Sequence, residues 1–376
     1  MYVLYIRIKI KGGLSYLFEF IIITATFILT IGAAIVLYFK KVNNNPFVAI
    51  DYAKKRREKK DVSLIITRNQ TELVSINPDI TMPLASTVKI IVAIEFARQA
   101  SKNIIDVNTS IPNEQLLKYY LEGTDGGAHK LWVNKFKNKP SYTLKEIAIG
   151  MIAFSSNANT EFLMDYLGLN TINKVPETLN LSHHTMIFPI VSSLHIPSYI
   201  SQKEQIKKKD QLLKRLTEMP EKEYIDYSLT IHEHLKNKEK HEYMEKVYLE
   251  YEFQKIWSER LPAGSASDYL KVMRMINCRE QFNQDMQTHL EKLLGYALFS
   301  NENNRKWIER GGFKGGSTLF VFTYASFSTD KDGNQTELVF FSNNLNAFTA
   351  KRLQINFNQF VLNTLKDESF RKKLVN

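Results

Sequence analysis

The sequence predicts an α/β fold of the α+β kind. Its parts are an antiparallel sheet flanked by helices, an all-helical subdomain, an N-terminal transmembrane helix and a charged helical insertion. Three observations carry this. Runs rich in β-branched and aromatic residues, split by turn residues, occur near both ends of the chain and read as hairpins. Helix-periodic segments with recognisable caps lie between them. A long apolar stretch near the N-terminus and a Lys/Glu-dense block after Ser201 stand apart in composition.

The chain has 376 residues, 44% hydrophobic and 12% aromatic, enough for one large domain or two modest ones with a sizeable core. Net charge is +11 and the pI about 9.3, a balance compatible with nucleic acid, anionic lipid or an acidic polymer. Zinc-finger spacing, an RNA-binding aromatic signature and a groove-reading basic helix are all missing, so nucleic acid is not expected as a partner. One cysteine, Cys278, allows neither an internal disulfide nor a cysteine-based zinc site.

Residues 1–15 form a short leading segment. Tyr16 to Phe39 ("YLFEFIIITATFILTIGAAIVLYF") holds one charge, Glu19, and is long enough to span a bilayer. Apolar residues continue past Gly32, Ala33 and Ala34, which favours an uncleaved anchor over a signal peptide. Arg7, Lys9 and Lys11 precede the span; Lys40, Lys41, Lys54, Lys55, Arg56 and Arg57 follow it. Counted literally, that bias puts the C-terminal part in the cytoplasm, although long domains translocate largely regardless of charge.

Residues 40–61 read as a basic tether with a short helix, and the catalytic domain as 62–376. Ser63–Arg68 and Thr71–Ile76, split by Asn69-Gln70, predict a hairpin. The segment "MPLASTVKIIVAIEF" (82–96) is apolar nearly all round and predicts a buried helix. Thr143 with Glu146 is a capping box that opens a helix running to Phe154. A further helix near Asn159–Leu167 stops at Gly168. Residues 201–262 read as two or three solvated helices, either an inserted appendage or a lid or partner surface. A capped helix resumes in "GSASDYLKVMRMI". "STLFVFTYASF" and "TELVFFSN" flank a turn at Asp332-Gly333, with a last helix near Ala347–Leu365.

Chemistry concentrates at Ser86 and Lys89. One helical turn apart near a helix N-terminus, they share a face. The helix dipole favours negative charge developing at Ser86. Burial lowers a lysine pKa, and a neutral amine takes the serine proton. Ser155-Ser156-Asn157 falls in the break between two helices, and Lys314-Gly315-Gly316-Ser317 is read as opening a strand. The histidines His183, His184, His232 and His234 are expected in loops or facing solvent without a third ligand, so no metal is expected. The glycine-dense loop "GTDGGAHKLW" (123–132) is either a cleft rim or a structural turn.

The set S-T-V-K, S-S-N and K-G-G, in that order and context, resembles the serine β-lactamase and D-Ala-D-Ala peptidase (penicillin-binding protein) superfamily, nearest the class A type, over residues about 48 to 376. The resemblance implies a β-lactamase-like fold and a serine hydrolase acting through an acyl-enzyme on a β-lactam or a peptidoglycan-type amide. Ser86 would be the nucleophile, Lys89 the acylation base and Ser155 the proton relay. Asn157 and Lys314 would contact substrate, and the N–H groups of Ser86 and Ser317, the latter following Gly316, would form the oxyanion hole. No cofactor is implied. A cell-membrane protein with an extracytoplasmic domain follows from where such substrates lie, with residues 201–262 available to an envelope partner. Ser156 replaces the usual aspartate and Gly315 the usual Thr or Ser. Class A members also carry a glutamate in an E-x-x-L-N pattern that activates the deacylating water. Glu177 with Leu179 and Asn180 comes too early and one residue short, and "MIFPIVSSLHIPSY" holds no acid, so deacylation is expected to be slow. The rivals are a penicillin-sensing or scaffold domain without turnover, and an envelope esterase.

Overall fold

The computed structural model describes residues 45–375 except Lys240. The predicted span at 16–39 lies outside the described residues. Among the described residues no helix is long and apolar enough to cross a membrane.

One five-stranded antiparallel sheet organises the molecule. Strands β1 (Val62–Arg68) and β2 (Thr71–Ile76) form the expected hairpin, its turn made by Asn69 and Gln70, both at positive φ. Strands β3 (Ile308–Ser317), β4 (Phe322–Asp330) and β5 (Gln335–Ser342) form a meander, and β1 pairs with β5, giving the order β2-β1-β5-β4-β3. The two ends of the chain therefore close one sheet.

Side-chain alternation gives the sheet two buried faces. Leu64, Ile66, Leu338 and Phe340 face one layer, made of helices α1 (Val48–Arg56) and α9 (Ala347–Lys366). Ile65, Val339 and Phe341 face the other, which contains α2 (Lys89–Ser101), α7 (Ala266–Cys278) and α8 (Gln284–Leu294). Helix α1 corrects the tether reading of 40–61: Val48, Ala49, Ile50 and Ala53 are buried against the sheet, its basic residues forming only the outer face.

The strand carrying Lys314 also differs from expectation. The K-G-G-S segment closes β3 rather than opening a strand, and "TLFV" is the turn that follows. Glycines at 311, 312, 315 and 316 carry weak strand propensity, which hid β3 in the sequence.

The capping box at Thr143 and Glu146 starts a helix over Leu144–Ile149 that widens into a π-turn at Gly150–Phe154. It ends at Ser155 in the left-handed region (φ 69), and α3 (Asn157–Leu167) follows. The charged block contains α4 (Lys209–Glu218), α5 (Glu221–Lys236) and α6 (Tyr251–Glu259). These helices are not merely solvated. Leu212, Leu216, Tyr224, Ile231 and Phe253 bury with Phe188, Ile196 and Ile200 of the preceding segment into a core of their own. Charge on their outer faces masked this amphipathic pattern.

Candidate active site

Ser86 lies in a single 3-10 turn (Ala85–Val88) that runs into α2. Ala85, just before it, holds φ 45, a costly conformation for a side chain with a Cβ. The turn is latched to β4: Thr323 donates to Leu84 O at 2.8 Å, and the Thr87 and Thr323 hydroxyls lie 2.7 Å apart. The end of β3 approaches closely as well. A Cβ on Gly316 would sit 2.5 Å from the Ser86 nitrogen and 2.7 Å from Thr323 Oγ1, so only glycine fits there. Ser317 is the next residue of that strand. The Ser86 hydroxyl lines the cleft and has no hydrogen-bond partner among the described residues.

Lys89 is fully buried. Its Nζ donates to Ser155 O (2.7 Å), Ser155 Oγ (3.3 Å) and Asn157 Oδ1 (2.8 Å). Burial, and then the charge of nearby Lys314, hold its pKa well below the lysine range, against Asp125 and Glu161, which favour the charge. Lys314 is 4% exposed and donates to Ser155 Oγ (3.1 Å) and Gly315 O (2.6 Å), and burial lowers its pKa to about 7. Ser155 Oγ thus bridges two buried amines, a geometry suited to passing a proton. The three stretches singled out in the sequence meet at this point, with Asn157 beside Lys89.

Ser156, in the usual aspartate position, is buried and caps α3 by accepting from Asn159 N at 3.3 Å. It donates to Asn159 Oδ1 (3.0 Å) and meets His129 Nδ1 at 2.9 Å. His129 belongs to the glycine-dense loop segment, whose Asp125 accepts from the N–H of Gly127 (3.1 Å) and His129 (2.9 Å). That loop lines the cleft through Thr124, Asp125 and Gly126. Both alternatives raised for it therefore hold at once.

The cleft encloses about 750 Å³, within the range of ligand pockets. The insertion forms part of its wall through Gln254 and Trp257 of α6. Trp257 Nε1 donates to Ser193 Oγ (2.9 Å) and Ile190 O (3.3 Å), and Ser258 donates to Thr318 Oγ1 at 2.8 Å. Glu204 stays within the insertion, paired with Arg215 at 2.9 Å. Glu177 is exposed and does not line the cleft.

Glu161 was not foreseen. This buried carboxylate of α3 accepts from the N–H of Val191, from Ser192 N (3.0 Å) and from Ser192 Oγ (2.9 Å), pinning the acid-free stretch beside the cleft. His232 of α5 meets it at 3.4 Å and stacks on Tyr119. The expectation that His232 faces solvent fails: it is 6% exposed. Burial lowers its pKa, but the Glu161 hydrogen bond and charge outweigh this and raise it. His234 is half-buried, bonded to Tyr243 OH at 2.7 Å, and has Glu239 and His241 within 4.8 Å as potential co-ligands. Folding thus brings His234, Glu239 and His241 together, and none of the three lines the cleft. The signal for Glu161 was its place one helical turn beyond Asn157, on the same side of α3.

Residues 49–302 match the model of the β-lactamase enzyme family. Among solved structures, a β-lactamase from Sphaerobacter thermophilus aligns at 16% identity and TM-score 0.52, covering 85% of this chain and 96% of that one. PBP-A aligns at 12% identity and TM-score 0.51, covering 84% and 95%. A representative of class A β-lactamase from Bacteroides cellulosilyticus gives 13%, 0.50, 84% and 98%. At these identities the structures establish a shared β-lactamase-like fold of antiparallel sheet and helices. No curated protein matches the sequence.

Proposed function

Because this chain belongs to the β-lactamase enzyme family, we propose that it is an active-site serine hydrolase in which Ser86 is acylated by an amide or ester. The observation that supports this best is the Ser155 hydroxyl held by both Lys89 and Lys314 in the cleft that Ser86 also lines, the Ser86 hydroxyl having no partner among the described residues. Neutral Lys89 takes the Ser86 proton as Oγ attacks the carbonyl carbon. The N–H groups of Ser86 and Ser317 hold the developing oxyanion. Ser155 protonates the leaving atom and is recharged from Lys89, while Asn157 and Lys314 order the polar contacts around it.

Deacylation is slow in this proposal. Asp125 is the one carboxylate lining the cleft among the described residues, and two backbone N–H groups already engage it. Without a positioned base, water attack loses about 10²–10⁴-fold. Intact-protein mass after reaction with an acyl donor, a β-lactam or a peptidoglycan-type amide among them, tests this. A Ser86 adduct lasting minutes is expected; immediate return to the free mass with many turnovers would overturn it.

We further propose a single-pass anchor at 16–39 with the domain outside the membrane. Protease added to intact spheroplasts should then digest the chain beyond residue 40, and full protection would refute this topology.

A further inference from the structure

A carboxylate beside the scissile bond of a substrate is held best by a cation aimed at it, because an unpaired buried carboxylate is strongly disfavoured. This cleft is lined by neutral donors, Thr318 and Gln254 among them, and by no cation among the described residues. Among the described residues lining it, Asp125 is the sole charged side chain, and no lysine or arginine lines it. Lys314, the nearest cation in sequence to the wall at Gly315, turns its donors to Ser155 Oγ and Gly315 O. Gly315 offers no hydroxyl, although a Cβ there would meet nothing nearer than Thr323 O at 3.6 Å. Packing would admit a side chain at that position and the sequence supplies none.

What does line the cleft is apolar or neutral: Phe154, Ile190, Trp257 and Tyr324 on the walls, with Leu131 (61% exposed) and Leu319 (49% exposed) toward solvent. Exposed leucines clustered on one cleft mark a ligand surface.

We propose that the acyl donor is an uncharged ester of an apolar acid, with no free carboxylate on either the acyl or the leaving side. This rests on the reading of Ser86 as nucleophile. The Ser86 Oγ–C bond forms and its proton passes to Lys89. The ester C–O bond breaks, and the departing alcohol oxygen keeps the electron pair and takes the proton of Ser155, which Lys89 restores. Water later cleaves the Ser86 ester. The released acid ionises in a cleft whose one charged lining side chain among the described residues is Asp125, so repulsion favours its exit.

The test separates the two layers. Fluorophosphonate labelling of the wild type but not of Ser86→Ala reports the nucleophile, whatever the substrate. The nitrophenol burst then gives acylation rates for p-nitrophenyl hexanoate and for mono-p-nitrophenyl adipate, which differs by a terminal carboxylate. The neutral ester should acylate at least about tenfold faster, the equivalent of one poorly compensated charge contact. Leu319→Arg, on an exposed turn, should narrow that ratio. Equal or faster acylation by the adipate or by benzylpenicillin, with labelling intact, overturns the substrate class alone, as does a ratio unmoved by Leu319→Arg. Failure of fluorophosphonate labelling overturns the nucleophile itself.

Discussion

Ala85 and Ser155 hold left-handed backbone on either side of the reacting centre, and residues in that region persist only where their surroundings over-determine them. Between them, two buried amines share one hydroxyl. Ser86→Ala should abolish covalent labelling. Lys89→Ala should slow it by about 10²–10⁴-fold, the usual worth of a general base, with the fold retained by circular dichroism. In the proposed mechanism acylation needs neutral Lys89, whose pKa lies well below the lysine range. Its rate should therefore rise with pH and level off well below the pH at which free lysine titrates, as stopped-flow labelling would report. The same burial carries a stability cost. Lys314 has a folded pKa of about 7 against 10.5 for the free side chain. Between those values the unfolded chain binds more protons, so the cost is full below about 7 and fades as pH rises to about 10. The unfolding free energy of Lys314→Met relative to wild type should accordingly fall between pH 7 and pH 10 in urea titrations. A flat difference would mean that Lys314 stays protonated in both states, its pKa not lowered by folding.

Among the elements, α3 does two jobs. Its N-terminus presents Asn157, and one turn later Glu161 grips the backbone at Val191 and Ser192 and meets His232 of α5. Glu161→Ala leaves two buried N–H groups and a buried histidine without their acceptor, at a cost of about 3–5 kcal/mol. Thermal melts should show it as one of the most damaging single changes. His232 adds a pH dependence of opposite sense to Lys314. Its folded pKa is raised, so its contribution is fully present below the unfolded value near 6.5 and is lost as pH rises through the folded value. His232→Phe, which keeps an aromatic ring against Tyr119, should cost more at pH 5.5 than at pH 9 in denaturant titrations. An equal cost at both would place the residue's role in packing alone.

For the whole molecule, the charged insertion is structural. It shares a core with Phe188, Ile196 and Ile200, bonds Pro189 O through Ser228 at 2.6 Å, pairs Lys236 with Asp165 at 2.7 Å and walls the cleft with Trp257. Replacing residues 204–259 by a short Gly/Ser linker exposes those apolar side chains and takes His232 away from the Glu161 carboxylate. The variant should lose its cooperative melt or its solubility, with labelling of Ser86 lost as well. A variant that melts and labels like the parent would restore the view of the block as an appendage.

The sequence by itself determined the local and the motif-borne features. Asn69-Gln70 dictates its hairpin turn, Thr143 and Glu146 cap their helix, and spacing alone puts Ser86 and Lys89 on one face. Each depends on neighbours a few residues away, where propensity and periodicity act. The tertiary structure decided whatever rests on contacts between distant segments. The glycine-rich β3 exists as a strand because β4 pairs with it, and α1 belongs to the domain because the sheet buries its apolar face. His232 is buried because Glu161, far away in the chain, supplies the charge that compensates its desolvation. That no lysine or arginine among the described residues lines the cleft is a property of the same kind. The chain carries 50 lysines and arginines, and only folding sets which of them, if any, face the substrate.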